Sequence, residues 1–147
     1  MPYVETSIDI KAPRKRIYDL AKDMESYPDF MPDVESVKIL ERKGNETVTR
    51  WKTLVEEAPI EWTEVDVFDD EDTRIDYKLI EGDLDKFEGA WTFEERDGVT
   101  KVVLGVDYDF GVPSLAELIG PLLQKKVEEN SMMMLRALKE RCEGGKA

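Results

Sequence analysis

With no histidine and a single cysteine among 147 residues, the chain has few ways to do chemistry. Ser-His-Asp and Cys-His catalysis, histidine-bearing zinc sites and histidine-ligated haem each need an imidazole, and a thiolate cluster needs several sulfurs. Carboxylates, phenols, amides and basic side chains remain. Among the carboxylates, Glu64 and Asp66 follow Ile60 and Trp62 at every second position of an extended segment, so all four share one face. A carboxyl buried on that face would have a raised pKa and could serve as a general acid. The pairs Glu56-Glu57, Asp69-Asp70 and Glu94-Glu95 point to opposite sides of a strand or sit in turns. They lack calcium-loop spacing, so they read as solvated edges, and no metal site is expected.

Asn130 places an amide among Val127, Met134 and Leu138 on one face of a helical repeat. Burying that amide unpaired costs about 1–3 kcal/mol. It therefore bonds to a tyrosine, an acid or a buried water, or else it orients a ligand carbonyl or hydroxyl. Tyr77 and Tyr108 lie in apolar strand rows, where a phenol serves equally as a pocket wall with one polar tip or as core with its hydroxyl at the edge. Trp91 shares a row with Phe87 and Phe93, and Gly89 leaves room for a side chain or ligand to approach. Trp51 and Trp62, on neighbouring strands, are placed to line the same chamber. Met132, Met133 and Met134 cannot all face inward on a helix, and Met134 falls on the main stripe.

These residues need a sheet and a helix to hold them. Val4, Thr6, Ile8 and Ile10 alternate as a first strand, and Pro13 marks a helix start carrying Ile17, Leu20, Ala21 and Met24. Ser26-Tyr27-Pro28-Asp29 reads as a second short helical start, after which Phe30 and Met31 plug the end of the fold. Between Val34 and Phe110, alternating rows such as Thr47-Thr49-Trp51-Thr53 and Val102-Leu104-Val106-Tyr108 are separated by Gly- and Asp-rich turns. Short connections predict an antiparallel meander of six or seven strands. Gly111-Val112-Pro113-Ser114 opens a short helix, and Gly120-Pro121 predicts a break and a hinge that opens to admit a ligand. A longer helix from Pro121 to Cys142 would run about 33 Å at 1.5 Å per residue. Cys142, beside the terminal Glu-Gly-Gly-Lys-Ala, is expected to pack poorly.

Twenty-one basic against 34 acidic residues give a formal charge of -13, a field that repels phosphate backbones and anionic headgroups. DNA binding is not expected, and Lys11, Arg14, Lys15 and Arg16 read as a solvated helix face. No stretch approaches the roughly 18 consecutive apolar residues of a membrane span. Met-Pro-Tyr-Val-Glu-Thr lacks the basic-then-apolar order of a signal peptide, and a cytoplasmic location is the expectation.

The order of elements, together with Ala12-Pro13 through Leu20, the run Met24-Glu25-Ser26-Tyr27-Pro28-Asp29-Phe30-Met31-Pro32, the stretch from Gly82 to Phe93 and the closing helix, resembles the START-like superfamily. This superfamily is also described as polyketide cyclase/dehydrase and lipid transport (SRPBCC) proteins, and the nearest branch looks like the Coq10/RatA type. The resemblance implies an α+β helix-grip fold over residues 1–147 as one START-like domain: a curved antiparallel sheet around a long C-terminal helix, usually with a cavity between them.

Together these readings lead to binding or carriage of a small hydrophobic molecule, a lipid, quinone or polyketide-like aromatic. The expected pocket is lined by Trp62, Tyr77, Phe87, Trp91, Tyr108, Val127, Asn130 and Met134, with no cofactor. One alternative is an enzyme of cyclase, aromatase or dehydratase type in which Glu64, Tyr77 or Asn130 moves a proton or polarises a carbonyl. Another is a protein-interaction module of ribosome-associated type, with a filled interior and an exposed patch of Phe30, Met31 and Met132. A monomer and a weak homodimer are both compatible with the sequence.

Overall fold

Each alternating row in the sequence becomes a strand. The structure, a computed structural model, describes residues 3–55, 58–109 and 113–143. The strands are β1 (Tyr3–Ile10), β2 (Val34–Lys43), β3 (Glu46–Val55), β4 (Ala58–Asp69), β5 (Arg74–Gly82), β6 (Lys86–Arg96) and β7 (Val99–Asp109). They form one antiparallel sheet in the order β1-β7-β6-β5-β4-β3-β2, so strands β2 to β7 are a meander and β1 closes onto β7. The β1–β2 connection carries helix α1 (Arg14–Lys22) and a 3-10 helix (Met24–Asp29). Helix α2 (Pro113–Glu143) follows β7, and the curved sheet grips it.

Period-two alternation gives the sheet its inner face. On β3, Thr47, Thr49, Trp51 and Thr53 are all buried, and on β7 Val102, Leu104, Val106 and Tyr108 are. Phe110, expected to extend that row, lies outside the described residues. Tyr27 of the 3-10 helix is fully buried and meets Trp51 and Trp91 edge-on, with ring centroids 5.6 and 6.4 Å away. The short helix thereby packs its aromatic ring onto the sheet's inner face.

Two expectations about α2 are corrected. Gly120-Pro121 does not divide it: one helix of 31 residues runs from Pro113 to Glu143. A proline removes one intrahelical donor and crowds the carbonyl four residues back. Long helices nevertheless draw most of their stability from packing, and here Ser131, Leu135, Leu138 and Cys142 form a buried stripe on a helix that packs against β1. The expected hinge therefore loses its structural basis. Cys142 is likewise 4% exposed, because it falls four residues after Leu138 on that stripe.

Gly89 is where the sheet has no room for a side chain. It pairs with Tyr77 on one side and Val106 on the other. A Cβ there would come within 1.9 Å of the Gly105 carbonyl oxygen and 2.9 Å of the Tyr77 hydroxyl. The space expected beside Gly89 is thus taken by the Tyr77 phenol, which donates to that carbonyl at 2.7 Å. Gly89→Ala should destabilise the protein by about 1–3 kcal/mol through overpacking. Urea denaturation checks this, and an unchanged midpoint would show that β6 and β7 can part there without cost.

Candidate functional site

The site starts with the pairing of β3 and β4, which sets Trp51 opposite Trp62, Thr49 opposite Glu64 and Thr47 opposite Asp66. All six side chains are buried. The two indoles stack with centroids 5.7 Å apart and planes 5° from parallel. Each spends its N–H on the polar row beside it. Trp62 Nε1 donates to Glu64 Oε1 at 2.7 Å, and Trp51 Nε1 donates to Thr49 Oγ1 at 2.8 Å. Thr49 passes its own hydrogen to Asp66 Oδ2 at 2.6 Å, and Thr47 donates to the same oxygen at 3.2 Å.

Two carboxyls inside a protein demand an account of their protons. Asp66 Oδ1 is buried without a hydrogen-bond partner among the described residues. Burial pushes the Glu64 carboxyl well above the ordinary glutamate range, and the Asp66 charge and hydrogen bond push it further. Burial also raises Asp66, but hydrogen bonds from Glu64, Thr49 and Thr47 oppose the shift. The two carboxyls together therefore hold on to a proton above the ordinary carboxylate range, because burial and their closeness oppose ionising both.

Beside Glu64 lies a cavity of about 130 Å³ between the sheet and α2. Its walls are mostly apolar: Trp51, Ile60, Trp62, Tyr77, Phe87, Trp91, Leu104 and Val106 from the sheet, Met24 and Leu84 from the connections, and Val127 and Met134 from α2. Thr53, Glu64, Asn130, Ser131 and Lys126 add the polar groups. Of the eight side chains expected from the sequence, seven stand on this wall. Tyr108 does not, although it is buried and pairs with the wall residue Phe87.

Polar partners refine the reading of individual residues. Asn130 Nδ2 donates to Asp33 Oδ2 at 3.1 Å, so its amide has an acid partner while the residue still lines the cavity. Burial and the nearby Glu64 raise the Tyr77 phenol well above its ordinary range, which keeps its hydrogen in place on the Gly105 carbonyl. Met31 is buried and so cannot join the exposed patch expected from these three, while Phe30 and Met132 are half-buried along one surface groove. Sequence reasoning missed Met24, Thr53, Ile60, Leu84, Leu104, Val106, Lys126 and Ser131 as wall residues. Thr53 had a signal in its alternation with Trp51, whereas Leu84 sits between β5 and β6, where no period applies.

Residues 10–135 match the family described as polyketide cyclase / dehydrase and lipid transport. The chain belongs to that family. Among solved structures, the family fold recurs in the protein TTHA0849 from Thermus thermophilus, which is 34% identical with a TM-score of 0.93 over 99% of this chain and 100% of the other. It recurs in the Zhui aromatase/cyclase from Streptomyces sp. R1128, at 24% identity and a TM-score of 0.88 over 97% of this chain and 93% of that one. A curated relative, the ribosome association toxin RatA of Pseudomonas aeruginosa, is 24% identical over 123 residues, covering 82% of this chain and 83% of the relative. Among the described residues no helix is long and apolar enough to cross a membrane, and no cluster of acids and cysteine is arranged to hold a metal.

The shared proton has a consequence for stability with a definite sign. A folded pKa above the unfolded one means that the native state holds a proton which the unfolded chain releases. Stability is then full below the ordinary glutamate range and falls as pH rises toward the folded pKa of Glu64. Urea midpoints measured from about pH 5 to pH 9 should decline for the natural protein and decline less steeply for Glu64→Gln. Parallel curves would mean that Glu64 titrates as an ordinary surface carboxyl.

Proposed function

We propose that this protein binds a small hydrophobic molecule, a lipid, quinone or aromatic compound, in the cavity between the sheet and α2. The observation that carries this reading is the cavity wall, in which Trp51, Trp62, Tyr77, Phe87 and Trp91 present aromatic surface to one space. Removing apolar area from water at about 25 cal/mol per Å² supplies the affinity, and a few polar groups fix orientation. An apolar cavity of about 150 Å³ holds a benzene-sized molecule, so the present space of about 130 Å³ fits one small ring. A larger ligand needs side chains to yield, and Met24 and Met134 on the wall have the unbranched, adaptable shape for that.

A second reading, an enzyme of cyclase or dehydratase type, is favoured by one observation: a buried, proton-holding carboxyl, Glu64, lines the cavity. The likeness to the Zhui aromatase/cyclase supports the fold for such a role without supplying the reaction. In that case loss of Glu64 would lower turnover by orders of magnitude while ligand still bound.

The binding reading is tested by filling the cavity. Val127 is half-buried on α2, so Val127→Trp adds bulk at the wall with little strain elsewhere. Titration with benzene, followed by the change in tryptophan emission, should give saturable binding to the natural protein and at least about tenfold weaker binding to the variant. Equal binding by both proteins, or none by either, would rule out this cavity as the binding place.

A further inference from the structure

Two hydroxyls on the cavity wall stand without a bond. Thr53 of β3 is 7% exposed and Ser131 of α2 is 3% exposed, both line the cavity, and neither side chain has a hydrogen-bond partner among the described residues. A buried hydroxyl left unpaired is costly, so each of these gains from a partner inside the cavity. The fold also brings the two segments that carry them together. Asp33 accepts from the Asn130 amide at 3.1 Å through its carboxylate and from the Leu54 backbone N–H at 2.8 Å through its carbonyl. Asn130 directly precedes Ser131 and Leu54 directly follows Thr53, so one residue ties both hydroxyl-bearing segments to one end of the cavity. Two further wall residues on α2 add donors there: Asn130 has a second amide hydrogen besides the one given to Asp33, and Lys126, one helical turn earlier, carries an ammonium, which donates and never accepts. Glu64 belongs to the other end. The β3–β4 register pairs Thr53 with Ile60, Trp51 with Trp62 and Thr49 with Glu64, so the stacked indoles stand between the hydroxyls and that carboxyl.

We propose that Thr53 and Ser131 form the polar end of the cavity and hold a carbonyl oxygen of the bound molecule, whose apolar body lies toward the stacked indoles. This rests on the binding reading above and narrows it to apolar molecules that carry a carbonyl, with that group turned toward α2 and away from Glu64. A carbonyl oxygen has two lone pairs and so can take a hydrogen from each hydroxyl. A hydrocarbon of the same shape fills the same space but leaves both hydroxyls unpaired. Two hydrogen bonds of ordinary strength correspond to about 5- to 100-fold in affinity.

The proposal is tested with two probes of one shape, acetophenone and 2-phenylpropene, which carry C=O and C=CH2 at the same place. Both are titrated by calorimetry against the natural protein and the double variant Thr53→Val/Ser131→Ala, which removes the two hydroxyls with little change of shape. The alkene is the more apolar probe and gains more from burial alone, so the readout is the change that each probe shows on substitution. Acetophenone should lose at least about fivefold in affinity, while 2-phenylpropene stays within about twofold of its value for the natural protein. A loss shared equally by both probes overturns the proposal, because it reports a change of cavity shape. An unchanged affinity for acetophenone overturns it too, and would place its oxygen elsewhere on the wall. If the double variant does not fold, as judged by circular dichroism, Ser131→Ala alone is expected to weaken acetophenone at least about threefold and to spare the alkene. If benzene binds the natural protein and neither of these probes does, this inference alone falls. Failure of benzene as well defeats the binding reading.

Discussion

One shared proton allows two carboxyls to stand on the inner face of a sheet that is otherwise built from aromatic and aliphatic side chains. Two full charges on Glu64 and Asp66, buried side by side, would cost far more than the surrounding hydrogen bonds return. With one proton between them, the pair becomes a single charge whose oxygens are met by Thr47, Thr49 and Trp62. That arrangement depends on the β3–β4 register. A slip of one residue would turn Thr47, Thr49 and Trp51 away from the face that holds Trp62, Glu64 and Asp66. The polar row therefore fixes the strand pairing as much as the pairing positions the row.

Much of the fold was legible because a strand writes its buried face at every second residue, and the rows on β3, β6 and β7 do so with little interruption. The same period exposed Trp62, Glu64 and Asp66 as a group. What the sequence left open depended on partners distant in the chain. Asn130 meets Asp33, 97 residues away, and Tyr77 reaches the carbonyl of Gly105 over the gap at Gly89. Nothing local to either residue names its partner. Local rules also overstated the break at Pro121, because a proline is a local penalty while the helix is held by a buried stripe further along. Tyr108 was misplaced as a wall residue because alternation identifies the inner face without showing which part of it closes on itself and which part lines a space.

The fold supports carriage and catalysis equally well, and the family contains both kinds of description in its name. Within that frame the cavity wall is the part of this chain that bears on its role. A cavity lined by aromatic rings accepts many apolar shapes, so discrimination falls to the few polar atoms it contains. Here those atoms belong to Thr53, Glu64, Lys126, Asn130 and Ser131, and the Trp62 indole holds Glu64 in place by donating to its carboxyl.

The stacked indoles of Trp51 and Trp62 have a further consequence. Two such chromophores held nearly parallel, with centroids 5.7 Å apart, couple their electronic transitions and act as one optical unit. Because both rings form part of the cavity wall, anything that enters and tilts either one alters that coupling. The protein thus carries an intrinsic near-ultraviolet dichroism signal for occupancy, readable without label or substitution.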